Sequence, residues 1–150
     1  MKPPSVFSLQ NFDLQIVKGD SFNTVYEAFD EGGAPIDIRP YGIRFTLKDP
    51  ITEAIVEMTA GQTTFSKERN DNINGGGGLY CRDDAQLALL GAQASLAETN
   101  QLLLLLKFQE TKLLTPLAYD YDIEFSYGVN LSKFTFVRGK LLVLPEATVS

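Results

Sequence analysis

Apolar and polar residues alternate along several stretches of this chain, which is the spacing of a β-strand that buries one face. The cleanest example runs from Tyr41 to Lys48, where Ile43, Phe45 and Leu47 fall on one face. Related patterns predict strands at Asn11 to Lys18, Ser21 to Phe29, Ala54 to Met58, Leu102 to Gln109, Tyr119 to Phe125 and Lys133 to Leu144. About seven strands at short spacing predict an all-β chain folded as a β-sandwich.

The first predicted strand places Phe12, Leu14 and Ile16 on its buried face. The Gly19-Asp20 pair then predicts a turn, because glycine takes up positive φ and aspartate bonds its own downstream backbone. Further loops are predicted at Asp30 to Pro35, at Asp49-Pro50 and at Gly128 to Asn130.

The last two predicted strands carry two special expectations. The in-out phase of Phe134 and Phe136 does not continue beyond Gly139, which predicts a β-bulge at Arg138-Gly139. Tyr119 opens its strand just after Pro116. It is therefore a candidate tyrosine-corner residue, whose hydroxyl bonds upstream backbone in Greek-key sandwiches.

The middle of the chain, from about residue 60 to 100, differs from its flanks and is interpreted as an insertion within a single domain that spans residues 1 to 150. Gly75 to Gly78 predicts a mobile loop, because glycine loses much backbone freedom on folding. Asp83-Asp84 ahead of Ala85 to Leu90 predicts a short N-capped helix. An alternative helix starts at the capping box Ser95 to Glu98 and continues into the leucines.

The five leucines from Leu102 to Leu106 favour a core strand over that helix. A helix would place them around its whole circumference, in a chain too small to bury all of them. Glu110 to Thr115 then predicts a helical turn, which Pro116 ends.

Composition narrows the class of protein. The 150 residues carry a formal net charge of -6, and the 13 lysines and arginines are scattered singly, which argues against a nucleic-acid partner. No apolar run is long enough for a signal-peptide core or a membrane span, so no membrane partner is expected. The single cysteine, Cys81, makes no disulfide within the chain, in keeping with synthesis in a reducing cytoplasm.

The candidate chemistry is weak throughout. There is no histidine for a catalytic triad, and Cys81 has no evident base beside it. The acidic run Asp120, Asp122 and Glu124 is interpreted as the solvent face of a strand. The glycine run lacks the Lys-Ser or Lys-Thr of a phosphate loop, and Asn70 to Asn74 lacks the spaced acids of a calcium loop. We therefore expect no enzymatic activity, catalytic residue, metal, cofactor or small-molecule substrate.

The order of several motifs resembles small structural proteins of tailed phages. The segments that carry the resemblance are Phe12 to Phe22, Gly33 to Ile38, Tyr41 to Phe45, Tyr119 to Glu124 and Val137 to Thr148. They are similar to the immunoglobulin-like N-terminal domain of baseplate upper proteins and related tail or neck accessory proteins, and they cover about two thirds of the chain. The resemblance implies an immunoglobulin-like sandwich in the virion, which self-assembles or attaches to a tail, neck or capsid protein without catalysis.

The middle segment departs from that family, and we expect it to be the docking element. The predicted interface residues are Asn70, Asp71, Asn72, Asn74, Gly75, Gly76, Gly77, Gly78, Leu87, Leu89 and Leu90. Uncovered sheet edges are a further candidate. Two alternatives stay open, a decoration protein of the phage head and, in another class, a carbohydrate-binding or adhesin module. The second has aromatic residues but no tryptophan as a stacking platform.

Overall fold

The computed structural model describes residues 9–49, 57–59, 63–64, 66–68, 78–84, 87, 96–112, 114, 118–127 and 132–146. Its strands are β1 (Gln10–Asn11), β2 (Leu14–Val17), β3 (Phe22–Glu27), β4 (Gly42–Lys48), β5 (Glu57–Thr59), β6 (Thr63–Thr64), β7 (Ser66–Glu68), β8 (Gly78–Cys81), β9 (Gln101–Leu106), β10 (Ala118–Tyr127) and β11 (Ser132–Leu144). A one-turn helix, α1 (Phe108–Thr111), follows β9.

These strands form two facing sheets and a small hairpin. The larger sheet has the order β1-β11-β10-β4-β7, and β2 also pairs with β11. The smaller sheet has the order β3-β9-β8, and β5 pairs with β6. The chain is therefore an all-β sandwich, as predicted.

The division of strands is that of an immunoglobulin-type fold. Strands β4, β10 and β11 take the places of C, F and G, while β3, β8 and β9 take those of B, D and E. The first strands differ from the constant-type arrangement, because β1 and β2 pair in parallel with β11 and not with β3. The parallel register sets Leu14 opposite Leu141 and Val17 opposite Leu144.

The core lies between the two sheets. Its largest fully buried side chains include four rings, Phe45, Tyr121, Phe125 and Phe136. The Phe125 and Phe136 ring centroids are 4.7 Å apart. Alternation explains the burial, since residues two apart on a strand share a face, as in β10 from Tyr119 to Phe125.

The structure confirms the predicted turns at Gly19-Asp20 and Asp30 to Pro35 and corrects the first strand, whereas Pro50 and the loop from Gly128 to Asn130 lie outside the described residues. Gly19 has a φ of +89° and Gly33 a φ of +87°, which favour glycine. The segment expected to be one strand is divided into β1 and β2, and Phe12 lies in the break. Phe12 is 45% exposed, so its predicted place on the buried face is wrong.

Strands also occupy part of the middle segment. Within residues 60 to 100, β7 pairs with β4 and β8 pairs with β9. Gly78 is a buried residue of β8 and not part of a mobile loop, whereas residues 69 to 77 lie outside the described residues. The leucine run is a strand, as expected, and it ends at Leu106 because α1 begins at Phe108, two residues before the predicted helical turn.

The bulge in the last strand lies three residues before Gly139. Ile123 of β10 pairs with Val137 and Glu124 with Thr135, so Phe136 is the extra residue. Phe136 and Val137 are consequently both buried, which accounts for the change of phase seen in the sequence. Gly139 has a different role: a Cβ there would lie 2.8 Å from the carbonyl carbon of Phe12. Glycine is required because the break between β1 and β2 crosses β11 at this point.

Candidate docking surface

The outer face of the larger sheet is charged, and its charges pair with one another. The acidic strand β10 lies between β4 and β11, which carry the basic residues. Lys48 Nζ lies 3.2 Å from Asp122 Oδ2, and Lys140 Nζ forms an ion pair with Asp120. The prediction that the acidic run faces outward is confirmed.

A polar depression of about 670 Å³ lies on this face. Its lining residues are Asn11, Asp13, Lys48, Asp120, Tyr121, Asp122, Thr135, Arg138, Gly139 and Lys140. Asp13 Oδ1 accepts a hydrogen bond from the Lys140 backbone N–H at 2.9 Å. Because acids and bases are interleaved within the depression, the face is largely neutralised by its own residues.

The outer face of the smaller sheet is apolar along one row, beside the polar residues Asn23 and Glu27 of β3. Val25 of β3, Leu103 of β9 and Tyr80 of β8 form one cross-strand row. Tyr80, Leu87 and Leu103 make a second buried cluster, against which Leu96 packs. Strand β9 is therefore buried on both faces, which explains its uninterrupted leucines. Val25, at the open end of the row, is 43% exposed.

A groove runs along the edge of β3 at this open end. We call it the β3 edge groove, and it is lined by Gln10, Phe12, Val25, Tyr26, Glu27 and Phe29. Five large hydrophobic side chains are exposed among the described residues: Leu9, Phe12, Val25, Phe108 and Leu142. Phe12 and Val25 line the groove, and Leu9 directly precedes Gln10. Two of the five therefore line this groove, and a third is adjacent to it in sequence.

Hydrogen bonds that cross the sandwich hold the Phe12 wall of the groove. The Tyr121 hydroxyl donates to the Phe12 carbonyl, and the Tyr26 hydroxyl donates to the Tyr121 oxygen at 3.2 Å. The Phe12 N–H donates to the Arg138 carbonyl at 3.0 Å. The Phe12 ring meets Tyr26 edge to face, with centroids 5.7 Å apart. The groove is therefore preformed on a fixed backbone.

The two hydroxyl groups of this relay are kept protonated. Burial raises the pKa of Tyr121 to about 12, against the lowering effect of its hydrogen bond with Tyr26. Burial, followed by the proximity of Tyr121, raises the pKa of Tyr26 further. Both side chains act as neutral donors at physiological pH, so they stabilise structure and do not supply a base.

The backbone of β3 presents hydrogen-bonding groups to the groove. The Ala28 N–H donates to Asn100 at 2.9 Å on the β9 side, while the Glu27 carbonyl accepts from Gln10 Nε2 at 2.7 Å on the opposite side. Backbone groups alternate between the two sides of an antiparallel strand. Val25 and Asn23 therefore direct their N–H and C=O groups away from β9, towards the edge.

Few of the predicted interface residues fall within the described residues. Gly78 is buried in β8, and Leu87 is 9% exposed in the second cluster, where it contacts its own chain. The others, Asn70, Asp71, Asn72, Asn74, Gly75, Gly76, Gly77, Leu89 and Leu90, lie outside the described residues. The docking role of the middle segment stays a prediction.

The remaining sequence candidates take structural positions. Cys81 is buried in the core, and its backbone N–H donates to Asp84 Oδ2 at 2.7 Å. Asp83 has a φ of +74°, and Arg39 links it to Asp37. Tyr119 is buried at the start of β10, the position expected of a tyrosine corner, although its predicted hydrogen bond stays untested. Among the described residues, no cluster of three acidic or cysteine side chains is arranged to hold a metal.

Sequence reasoning missed the β3 edge groove because periodicity placed Phe12 in the core. A usable signal was present, since residues 21 to 26 contain neither a charge nor a proline. Natural edge strands commonly carry one or the other.

No protein-family model matches the chain, and no curated protein matches it significantly. Within the described residues, no helix has both the length and the apolar character needed to cross a membrane.

Proposed function

We propose that this protein is a non-enzymatic structural component of a tailed-phage virion, in the tail, baseplate or neck, which acts by docking to other virion proteins. The observation that carries the proposal is the β3 edge groove, where Phe12 and Val25 are 45% and 43% exposed beside a strand edge that no other described strand pairs with. Grooves of this kind bind extended segments, because main-chain hydrogen bonds supply affinity and apolar contacts supply specificity.

The contrast between the two sheets supports docking over ligand chemistry. The polar depression on the larger sheet is lined with ion pairs of the protein itself, such as Lys48 with Asp122. In the apolar groove, Phe12 and Val25 stay 45% and 43% exposed, although the Phe12 ring also packs edge to face on Tyr26. The resemblance of the segments at both ends of the chain to phage accessory proteins supplies the virion setting.

The proposal is tested by complementing a phage that lacks the gene and by measuring the chain in purified particles by mass spectrometry. Wild-type protein is expected in the particles at a fixed ratio to the other structural proteins. Phe12→Gln removes an exposed ring from the groove and is expected to lower incorporation at least about tenfold, which corresponds to roughly 1.4 kcal/mol of binding.

Phe108→Gln is the matched control, because Phe108 is 47% exposed but lies outside the groove. It is expected to incorporate normally. Particles that never contain the wild-type chain would rule out the virion role, and equal incorporation of the two variants would rule out the groove as the docking surface.

A decoration protein of the phage head is the finer alternative. Fractionating heads from tails in the same experiment separates it from the tail, baseplate or neck placement. Deletion of residues 70 to 77 tests the middle segment as a second docking element. The deletion leaves Gly78 in place, because β8 needs it for pairing with Leu105.

A further inference from the structure

The edge strand β3 differs from the other sheet edges of the described residues in both length and protection. It has six residues, whereas the edges formed by β1, β2, β7 and β8 have two, four, three and four. Strand β7 also carries Lys67 and Glu68. From Phe22 to Tyr26, β3 has no charge, proline or bulge, the devices that normally stop an edge from pairing.

We propose that two copies of this chain pair through β3, antiparallel across a two-fold axis at Val25, and so join their smaller sheets into one continuous sheet. This inference rests on the proposed docking role of the β3 edge groove and names a second copy as its occupant.

The directions of the backbone groups determine the register. Asn23, Val25 and Glu27 direct their N–H and C=O groups to the edge, so a hydrogen-bonded register sets these positions opposite one another. The Glu27 carbonyl already accepts a hydrogen bond from Gln10 Nε2, so its second lone pair accepts from the Asn23 N–H of the copy. With Val25 on the axis, Val25 faces Val25 of the copy and Asn23 faces Glu27. A two-fold axis requires this self-complementary arrangement.

Charge and apolar area both suit a second copy. The chain carries a net charge of -6, which opposes self-association over most surfaces. At the β3 edge the only charged strand residue, Glu27, meets the neutral amide of Asn23, so no like charges face each other. The pairing also covers the exposed faces of Val25 and Phe12, which are 43% and 45% exposed in one copy.

The test measures solution mass by light scattering over a concentration range. The wild-type protein is expected to shift from monomer to dimer as its concentration rises. Val25→Lys places two ammonium groups directly opposite each other and is expected to weaken dimerisation at least about tenfold. Leu142→Lys is the matched control, since Leu142 is 38% exposed on the larger sheet, and it is expected to dimerise as the wild type does.

A mixing experiment makes the register explicit. Val25→Glu alone is expected to be monomeric, but an equimolar mixture with Val25→Lys is expected to dimerise again, because the axis sets residue 25 opposite residue 25. Circular dichroism and thermal unfolding of each variant verify that the sandwich is intact. Val25→Thr, which keeps a β-branched side chain, is the second variant should either charged form unfold, and it is expected to dimerise more weakly than the wild type.

Three results would overturn the proposal: a wild-type monomer at every concentration, a dimer unaffected by the Val25 substitutions, or a mixture that stays monomeric. None of them would decide the virion role. If Phe12→Gln still lowers incorporation into particles while the wild type is monomeric, the groove docks a different virion protein and only self-pairing is wrong.

Discussion

The outer faces of the two sheets differ: one carries paired charges, and the other carries an apolar row that is partly covered. In the larger sheet an acidic strand lies between two strands that carry basic residues, and ion pairs such as Lys48 with Asp122 neutralise charges on the outer face. The smaller sheet covers an apolar row with its own chain at Leu87 and Leu96, and leaves the Val25 end open. The apolar face is completed only where other segments cover it, so it is the face suited to binding another protein.

The largest expected effect tests whether the covered part of the apolar face is a true second core. Leu103→Ala removes a side chain that is 5% exposed and packs on Tyr80, so it is expected to lower the free energy of unfolding by about 2 to 5 kcal/mol. Thr135→Ala, on the outer face of the larger sheet, is expected to change it by less than about 0.5 kcal/mol. Guanidinium unfolding of both variants measures the difference. Equal small effects would show that the second cluster contributes little.

A change of intermediate size in the free energy of unfolding is expected at the hydrogen bonds of Tyr121, which join the two sheets. Tyr121→Phe removes the donor to the Phe12 carbonyl and the acceptor for Tyr26, and is expected to cost about 1 to 2 kcal/mol. The substitution also tests pH dependence. The unfolded tyrosine pKa is about 10 and the folded pKa of Tyr121 is about 12, so the folded state holds its proton where the unfolded state has lost it. The contribution of the Tyr121 hydroxyl to the free energy of unfolding is therefore fully present below pH 10 and is lost as the pH rises through about 12.

Tyr121→Phe is expected to reduce the fall of the free energy of unfolding with rising pH, leaving only the part of that fall that is due to Tyr26. Urea unfolding at several pH values between 9 and 12 measures it, with Tyr127→Phe as the control, since Tyr127 lies outside the hydroxyl relay. An unchanged slope in Tyr121→Phe would contradict the role assigned to burial of this hydroxyl.

The smallest effect is expected on the charged face. Asp122→Asn removes the partner of Lys48, whose side chain is 38% exposed, so the loss is expected to be about 0 to 1 kcal/mol and to shrink as salt is added. Thermal unfolding at low and high salt measures this change. A loss above about 2 kcal/mol, insensitive to salt, would mean that the acidic row is a structural element and that the two outer faces are less different than described.

Period-two alternation predicted the sandwich because it reports burial directly, as in β4 and β10, where every second residue packs between the sheets. It failed at Phe12 because tertiary contacts interrupt the strand there. The Tyr121 hydroxyl bonds the Phe12 carbonyl, and Gly139 lets the Phe12 backbone come close to β11, and neither contact leaves a mark on the local sequence pattern. It also missed β7 and β8, which are short and form only by pairing with distant strands.

The candidate site was the harder prediction. Which aromatic residue is exposed, and which edge is left unpaired, depends on strand order, and strand order is set by contacts between residues far apart in sequence, such as Val25 and Leu103. Composition indicated only that the stretch before Glu27 lacks the usual protection of an edge.

The parallel pairing of the first and last strands has a mechanical consequence. Strand β2 enters its pairing at Leu14 and β11 leaves it at Leu144, at opposite ends of the shared ladder. A force that pulls Leu14 and Leu144 apart therefore shears the two strands, so that all their hydrogen bonds carry the load at the same time. In an antiparallel hairpin pulled at its two open ends, the hydrogen bonds break one after another. A domain with this parallel pairing resists tension that is applied between Leu14 and Leu144.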